Sequence, residues 1–295
     1  MTRLLVVTNA AAGTTDDDAV DAALAVLRAG ADVRVAASGD RGELERIVAA
    51  REDRMLVLVG GDGSVHAAVD TLVRRGELTP DEPLGLIPLG TGNDLARSVG
   101  IPLDAAEAAR ALIGGRPRPM ELLRDDADGI VVNAVHLGIG AEAAARGEQW
   151  KPRLGKAAYA LGGMVAGART RGWRLKVEAD DRVVVDVDRR VLMVGLGLGS
   201  SIGGGAPMAP DADPSDGLVD LVVSEAVGPV ARIGYGAGLR RGSHVDRSDV
   251  HHLRARTVRV GGQPFPVNAD GELSGPVRSR SWTVEQGAWA LVVPA

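Results

Sequence analysis

The chain of 295 residues contains no cysteine, and its aromatic residues are four tryptophans, two tyrosines and one phenylalanine. The absence of cysteine excludes disulfides and thiol chemistry and is typical of a reducing compartment, so we expect a cytoplasmic protein. The five histidines lack the compact spacing of a zinc site. Few aromatic residues are available to stack on bases and the formal net charge is −5, so nucleic acid is a poor candidate partner.

Long hydrophobic runs are also missing. The longest stretch without a charged residue, 191–210, is interrupted by glycines and two prolines, which predicts a buried strand followed by a loop rather than a membrane span. We expect no transmembrane segment and no signal peptide before Leu4. With 45% hydrophobic residues, the chain can form two domains of roughly 100–200 residues each.

Two glycine clusters each follow a short apolar run. Met55–Val59 precedes Gly60-Gly61-Asp62-Gly63-Ser64, and 84–88 precedes Gly90-Thr91-Gly92-Asn93. Continuous apolar runs of this length predict strands buried on both faces, and the residues after each cluster predict helices, the first capped by Ser64. Because neighbouring parallel strands end at one edge of a sheet, the two turns predict one crevice.

The residues of these turns suit phosphate binding. Glycine lets the backbone approach a ligand, and consecutive N–H groups at a helix N-terminus attract phosphate. Asp62 has the wrong charge for a phosphate neighbour unless a cation lies between them, so its presence implies magnesium held by oxygen ligands and water. Glycine turns also serve plain packing, but two together are more specific and predict a nucleoside triphosphate with magnesium.

Both turns resemble signatures of one protein family. Gly60–Ser64 is similar to GGDGT, and Pro88–Arg97 to P-x-GTGND-x-AR, of the diacylglycerol kinase catalytic-domain family, which includes bacterial lipid kinases and sphingosine kinases. Val132–Gly138 resembles the opening of that family's second domain, 203–220 its GGG…AP…DGLLDV pattern, and Asn268–Glu272 its D-G-E motif. The resemblance covers nearly the whole chain. It implies an ATP-dependent lipid kinase that transfers the γ-phosphate to a hydroxyl of diacylglycerol or a related lipid at a membrane surface.

The resemblance also implies roles for individual residues. Asp270 and Glu272 become candidates for the base that deprotonates the acceptor hydroxyl. Asp213, Asp216 and the carbonyl of Leu218 match a second, structural magnesium site, with Asp62 serving the magnesium of the nucleotide. The implied nucleotide contacts are Asn9, Gly13, Ser38, Gly60, Gly61, Asp62, Gly63, Ser64, Thr91, Gly92 and Asn93. Taken alone, Asp216-Gly217 and Asp270-Gly271 are more typical of hairpin turns, and the order and spacing of the motifs favour the functional interpretation.

The chain departs from the family pattern at three points. Ala10 replaces a proline, and Ser64 replaces a threonine while keeping its hydroxyl. Where the family commonly has T-x-N-E, this chain has Ser64-Val65-His66-Ala67, so one carboxylate is absent. Two alternatives stay open. One is a kinase for a non-lipid hydroxyl, since NAD kinases resemble this family through GGDGT, although the GTGND-like stretch disfavours them. The other is a nucleotide-binding protein with little catalysis, because of Ala67. A redox enzyme is least favoured, because no G-x-G-x-x-G follows the first strand.

The secondary-structure pattern changes near 116–119. The residues before it alternate between strand and helix patterns, which predicts a doubly wound parallel-sheet nucleotide domain over residues 1–118. Strand patterns dominate afterwards and predict a mostly antiparallel, β-sandwich-like acceptor domain over 119–295, with one helix around 155–168. The resemblance implies that the last residues, Ala290–Ala295, return to the first domain. The sequence leaves open whether the protein forms a homodimer.

A basic segment interrupts this otherwise acidic chain. Ala144–Lys176 carries eight Lys or Arg residues against one acid, around an apolar centre. This pattern predicts peripheral contact with anionic lipid at the inner membrane face, although an ordinary solvated surface has a similar composition.

Overall fold

The computed structural model describes residues 2–9, 17–138 and 171–295. Its helices are α1 (Asp17–Gly30), α2 (Arg41–Ala49), α3 (Asp62–Arg75), α4 (Asp94–Ser98), α5 (Ala105–Gly114) and α6 (Pro229–Leu239), with a 3₁₀ turn at Ser243–Asp246. Its strands are β1 (Thr2–Asn9), β2 (Ala31–Ser38), β3 (Met55–Gly60), β4 (Gly85–Pro88), β5 (Arg116–Asp125), β6 (Ile130–Val131), β7 (Ala134–Gly138), β8 (Leu175–Ala179), β9 (Arg182–Val185), β10 (Met193–Gly197), β11 (Val219–Ser224), β12 (Val250–Ala255), β13 (Thr257–Ala269) and β14 (Glu272–Val293).

The N-terminal part is a four-stranded parallel sheet in the order β2-β1-β3-β4. Helix α1 packs against α5, and α2 packs against α3. Strand order reverses between β1 and β3, and the loops that leave such a switch point diverge and open a ligand crevice at the carboxyl ends of the strands. The predicted α/β fold is therefore confirmed, and the turn after β3 lies at the expected edge.

The C-terminal part is an antiparallel sheet in the order β12-β11-β10-β7-β13-β14-β5-β6, with β8 and β9 branching from β13. Alternate residues of these strands form a second core around Phe265 and Trp282. A third, smaller core lies beneath α6 and includes Met208 and Tyr235. The predicted antiparallel, sandwich-like second domain is confirmed.

Strand β14 joins the two sheets. Its last residues pair with β5, and the backbone of Leu84 donates to Ala290 (2.9 Å) and accepts from Val292 (2.8 Å). Leu291 and Trp289 belong to the same core as the parallel sheet. Strand β5 runs through the predicted boundary between residues 118 and 119, and that boundary stays a prediction.

Three sequence-based expectations need comment. Ser64 does not cap α3: the helix begins at Asp62 with Gly61 at the N-cap, so Ser64 lies within its first turn, and its hydroxyl lies close to Gly60. The helix expected around 155–168 and most of the basic segment 144–176 lie outside the described residues. Among the helices that are described, none is both long and apolar enough to cross a membrane.

Candidate active site

The two glycine turns meet backbone against backbone. A Cβ atom added at Gly90 would lie 2.4 Å from the Cα of Gly61, and one added at Gly61 would lie 2.8 Å from the Cα of Gly90. The Leu89 N–H donates to the carbonyl of Gly60 at 3.0 Å, and the Asn93 side chain accepts from and donates to the Gly90 backbone at 2.9 Å. The two turns therefore form one unit, the glycine unit, which has no room for a side chain where Gly61 and Gly90 meet.

We expect Gly90→Ala to destabilise the fold by about 1–3 kcal/mol, because the new methyl group forces two backbone segments apart. Urea unfolding measures this loss, and ATP binding should weaken with it. Gly114→Ala is the matched control, since a Cβ there meets nothing within 4 Å. A Gly90→Ala protein as stable as the Gly114→Ala protein would contradict the close approach.

Asp62 holds the second turn in place. Its carboxylate accepts the N–H groups of Asp94 at 3.0 Å and Leu95 at 2.9 Å, and so stabilises the start of α4. Burial raises the pKa of Asp62, the two N–H groups lower it, and the net direction is upward. Asp62 thus has a clear role within the protein, and its expected role toward magnesium stays a prediction.

Asp94 ties this unit to the second domain. One of its carboxylate oxygens accepts the Ser201 hydroxyl at 2.8 Å and the Gly205 N–H at 2.7 Å, and the other accepts the Gly204 N–H at 2.9 Å. Gly204 and Gly205 have φ values of 93° and 104°, which only glycine adopts readily. Sequence reasoning placed Asp94 only at a helix start, although its position in the GTGND-like signature was the available signal.

Asp270 lies at the turn between β13 and β14, with φ 47°. Its Oδ1 accepts the N–H groups of Asn133 (3.0 Å) and Ala134 (2.9 Å), and its Oδ2 accepts the Val132 N–H at 2.7 Å. His66 Nδ1 lies 2.9 Å from the same Oδ2, and the Asp270 side chain is 1% exposed. Four donors therefore surround this carboxylate and fix its position.

His66 provides the contact from the first domain, since it lies on α3. Burial lowers its pKa, whereas the hydrogen bond and charge of Asp270, with smaller contributions from Glu272 and Asp70, raise it, and the net direction is upward. Sequence reasoning noted His66 as a departure from the family pattern but gave it no role. Its partner lies 204 positions away, which no local pattern reveals.

The raised pKa of His66 predicts a pH-dependent stability. A folded-state pKa above the ordinary value favours the folded state fully at low pH, and this contribution is lost as pH rises through the folded-state pKa. We therefore expect the difference in unfolding free energy between the wild type and His66→Asn to shrink from mildly acidic to alkaline pH. Asparagine keeps a neutral hydrogen-bond donor at this position. His252, whose pKa is also raised by Asp220, is present in both proteins, so its contribution cancels when one unfolding free energy is subtracted from the other. A difference that stays constant with pH would contradict this assignment.

Glu272 contrasts with Asp270, two positions earlier. Its side chain is 64% exposed, and its Oε1 accepts from Arg41 Nη2 at 2.8 Å. Arg41 opens α2 and also lies 3.5 Å from Asp70. One carboxylate of the D-G-E sequence is therefore buried and fully bonded, whereas the other stands at the surface between the two domains with one arginine partner.

The chain matches known families over both parts. Residues 3–124 match the model described as diacylglycerol kinase catalytic domain, and residues 133–293 match the model described as YegS C-terminal NAD kinase beta sandwich-like domain. A Pseudomonas aeruginosa protein named "Probable lipid kinase YegS-like" is 34% identical over 293 residues, covering 95% of this chain and 91% of that protein. The chain belongs to the diacylglycerol kinase catalytic-domain family. The resemblance found in the motifs is thus confirmed.

Other relatives agree. A protein of Stenotrophomonas maltophilia with the same name is 32% identical over 87% of this chain and 84% of its own length. The Bacillus subtilis protein named "Diacylglycerol kinase" is 29% identical over 81% and 77%, respectively. A crystal structure of a diacylglycerol kinase from Bacillus anthracis superposes with a TM-score of 0.72 at 18% identity, covering 99% of this chain and 96% of that one, which supports the fold.

The two carboxylates of the predicted second magnesium site form ion pairs with arginines. Asp213 accepts from the Ser215 N–H (3.0 Å) and pairs with Arg118, and Asp216 pairs with Arg254. Within residues 2–9, 17–138 and 171–295, no three His, Asp or Glu side chains are arranged to hold a metal. The assignment of Asp213, Asp216 and Leu218 therefore stays a prediction.

Glu121 lies beside this loop and was not singled out from the sequence. It is fully buried, its Oε1 accepts the Gly217 N–H, and its Oε2 has no hydrogen-bond partner. Burial raises its pKa to about 6. An unpartnered buried carboxylate oxygen is the feature of this loop that suits a cation.

Other predicted nucleotide contacts lie at or just after the carboxyl ends of β1, β2 and β4. Ser38 ends β2 and donates to the carbonyl of Asp40 at 2.9 Å. Thr91 is exposed, and a Cβ at Gly92 would lie 3.0 Å from Asp62 Oδ2. Asn9 ends β1. Gly13 lies outside the described residues.

Proposed function

We propose that this protein is an ATP-dependent lipid kinase that transfers the γ-phosphoryl group to a lipid hydroxyl, with diacylglycerol as the first acceptor to test. Family membership and the names of its relatives support the class. The observation that carries the proposal is the contrast within the D-G-E sequence. The hydrogen bonds of the buried Asp270 hold the turn that presents the exposed Glu272 near α3, the helix that begins at the glycine unit.

The start of α3 supports phosphate binding. Among the described residues, no acceptor is bonded to the N–H groups of Asp62 and Gly63, and a Cβ at Gly63 would meet nothing within 4 Å. Helix N-termini carry a partial positive charge from unpaired N–H groups, and this one begins a helix of 14 residues. Open space and free donors at one point suit the phosphates of a nucleotide.

Glu272 is our choice for the general base, and Asp270 and His66 hold the turn that presents it. In the reaction, the acceptor oxygen bonds to the γ-phosphorus, the bond to the bridging oxygen of the leaving ADP breaks, and the hydroxyl proton passes to Glu272. Arg41 orients the Glu272 carboxylate before the reaction. Positioning and charge neutralisation dominate phosphoryl transfer, so a shell of fixed hydrogen bonds suits it.

ATP would supply the phosphoryl group, and magnesium would neutralise charge on its oxygens. Magnesium bound with a nucleotide keeps several waters and takes one or two carboxylates, so Asp62 is our proposed protein ligand. Asp213, Asp216 and the Leu218 carbonyl, beside the unpartnered oxygen of Glu121, are our proposed residues for a second magnesium.

Transfer of labelled γ-phosphate from ATP to a total lipid extract in mixed micelles tests the proposal, with the product identified by mass. A labelled lipid supports it and names the acceptor. A parallel reaction contains NAD, because the second domain matches a model described as NAD kinase-like. Label in NADP alone would replace the lipid acceptor with NAD, and ATP binding without transfer to either would support a weakly catalytic nucleotide-binding protein.

A further inference from the structure

Helix α6 presents an apolar face to solvent. Val230 is 83% exposed and Ile233 is 75% exposed, the highest values among the large apolar side chains of the described residues. Ala237 is also exposed and lies on the same face, because residues three or four positions apart are neighbours on a helix. The opposite face carries Tyr235, which is 4% exposed and packs in the third core. The helix therefore has apolar residues on two opposite faces, one packed on the third core and the other exposed to solvent.

Arginines continue this face beyond the helix. Arg240 and Arg241 directly follow α6, both are exposed, and no carboxylate of the described chain lies within salt-bridge distance of either. The helix contains no acidic residue. Two nearby acids are engaged by other arginines, since Asp249 pairs with Arg247 and Glu225 pairs with Arg189. Asp246, five residues after Arg241, is exposed and forms no salt bridge with either Arg240 or Arg241.

More positive charge lies at the other end of α6. A Cβ at Gly172 would lie 2.7 Å from Val227 Cγ1, so the chain around Gly172 borders the residues that lead into the helix. Arg171 is exposed there, and Arg190 donates to the carbonyl of Gly172 at 3.1 Å. An exposed apolar strip with arginines at both ends is complementary to an anionic lipid surface.

The same helix is connected to the proposed reaction site. Gly242, just after α6, lies beside Pro207 and Pro210: a Cβ added at Gly242 would lie 3.6 Å from the Pro207 ring and 3.5 Å from the Pro210 ring. His244 Nε2 lies 2.9 Å from the carbonyl of Met208. The loop that contains these residues begins with Gly204 and Gly205, whose N–H groups bind Asp94.

We propose that α6, with Arg240 and Arg241, docks the protein on an anionic phospholipid surface. Val230, Ile233 and Ala237 enter the boundary between headgroups and acyl chains, and the arginines bind lipid phosphates. The proposal rests on the proposed function, because a lipid kinase must meet its acceptor at such a surface. Apart from Arg171, this surface lies outside the basic segment Ala144–Lys176 that the sequence suggested.

Sedimentation with vesicles tests the docking surface. The full-length protein is mixed with vesicles of phosphatidylcholine alone or of phosphatidylcholine with phosphatidylglycerol. We expect binding to the anionic vesicles, weakened about tenfold or more both by Val230→Ser with Ile233→Ser and by Arg240→Gln with Arg241→Gln. Val183→Ser is the matched control, since Val183 is 52% exposed on β9, and it should bind like the wild type. Unchanged melting temperatures show that the variants are folded.

Transfer assays separate this proposal from the proposed function. The α6 variants should keep wild-type turnover on acceptor in detergent micelles and lose it on anionic vesicles. If wild type binds vesicles through α6 but phosphorylates no lipid, docking stands and the kinase assignment fails. If lipid is phosphorylated while all variants bind vesicles like wild type, docking through α6 is overturned. It is also overturned if Val230→Ser with Ile233→Ser converts a dimer to a monomer by light scattering, because the face then binds a second copy.

Discussion

Glu272→Gln is expected to lower the rate of phosphoryl transfer by about 10²–10⁴-fold, the range typical of a lost general base. The amide keeps the size of the side chain but cannot take the hydroxyl proton. ATP affinity should stay near the wild-type value, because Glu272 begins β14 and is not part of the two glycine turns proposed to bind the phosphates. The melting temperature should also change little, since an exposed ion pair such as Glu272 with Arg41 contributes about 0–1 kcal/mol.

The kinetic measurement uses labelled ATP with the acceptor identified in the lipid extract. Glu45→Gln is the matched control, because Glu45 is an exposed glutamate on the same helix as Arg41. Arg41→Gln should give an intermediate loss in turnover, as it removes orientation but leaves the base. A Glu272→Gln enzyme with wild-type turnover would transfer the role of base to another group.

Asp270→Asn is expected to lower the unfolding free energy by about 3–5 kcal/mol, as when one partner of a buried ion pair is removed. The new amide turns its NH₂ group toward at least one of the N–H groups of Val132, Asn133 and Ala134, which then loses its acceptor. Asparagine tolerates the left-handed backbone at this position, so the loss reports the side chain rather than the turn.

Urea unfolding with a double-mutant cycle measures this effect. Combining Asp270→Asn with His66→Asn should cost less than the sum of the two single changes, because both remove the same contact. Asp181→Asn is the control, since Asp181 also has a positive φ of 64° but is exposed. Wild-type stability in Asp270→Asn, together with lost transfer, would instead make Asp270 the base.

The main elements of the fold were predictable from local pattern. Met55–Val59 and 84–88 are continuous apolar runs, and both form parallel strands that end at a glycine turn. The change of pattern near residue 118 also marked the passage to an antiparallel sheet. The long strand β14, Glu272–Val293, was predicted only in part. Its polar stretches are held as strand by pairing with β13 and β5, so they carry no alternating pattern that the sequence could reveal.

The site was less predictable than the fold. The motifs named Asp62 and Asp270 but not the N–H groups that surround their carboxylates, because those donors come from α4 and from residues 132–134. Asp94 and His66 were passed over for the same reason, since their partners lie in the other domain. Asp270 is buried and Glu272 is exposed. The sequence could not show this difference, because the exposure of a side chain depends on all the residues that pack around it.

The sequence by itself determined the family, the alternation of strands and helices before residue 116, the predominance of strands after it, and the glycines at the ends of β3 and β4, because these depend on residue type and short spacing. It did not predict α6. Only the tertiary structure decided that the two glycine turns touch, that Asp94 and Asp270 each gather donors from distant strands and loops, and that α6 leaves Val230 and Ile233 uncovered. The physical reason is that hydrogen bonds and burial join residues far apart in the chain, and their positions exist only once the sheets have packed.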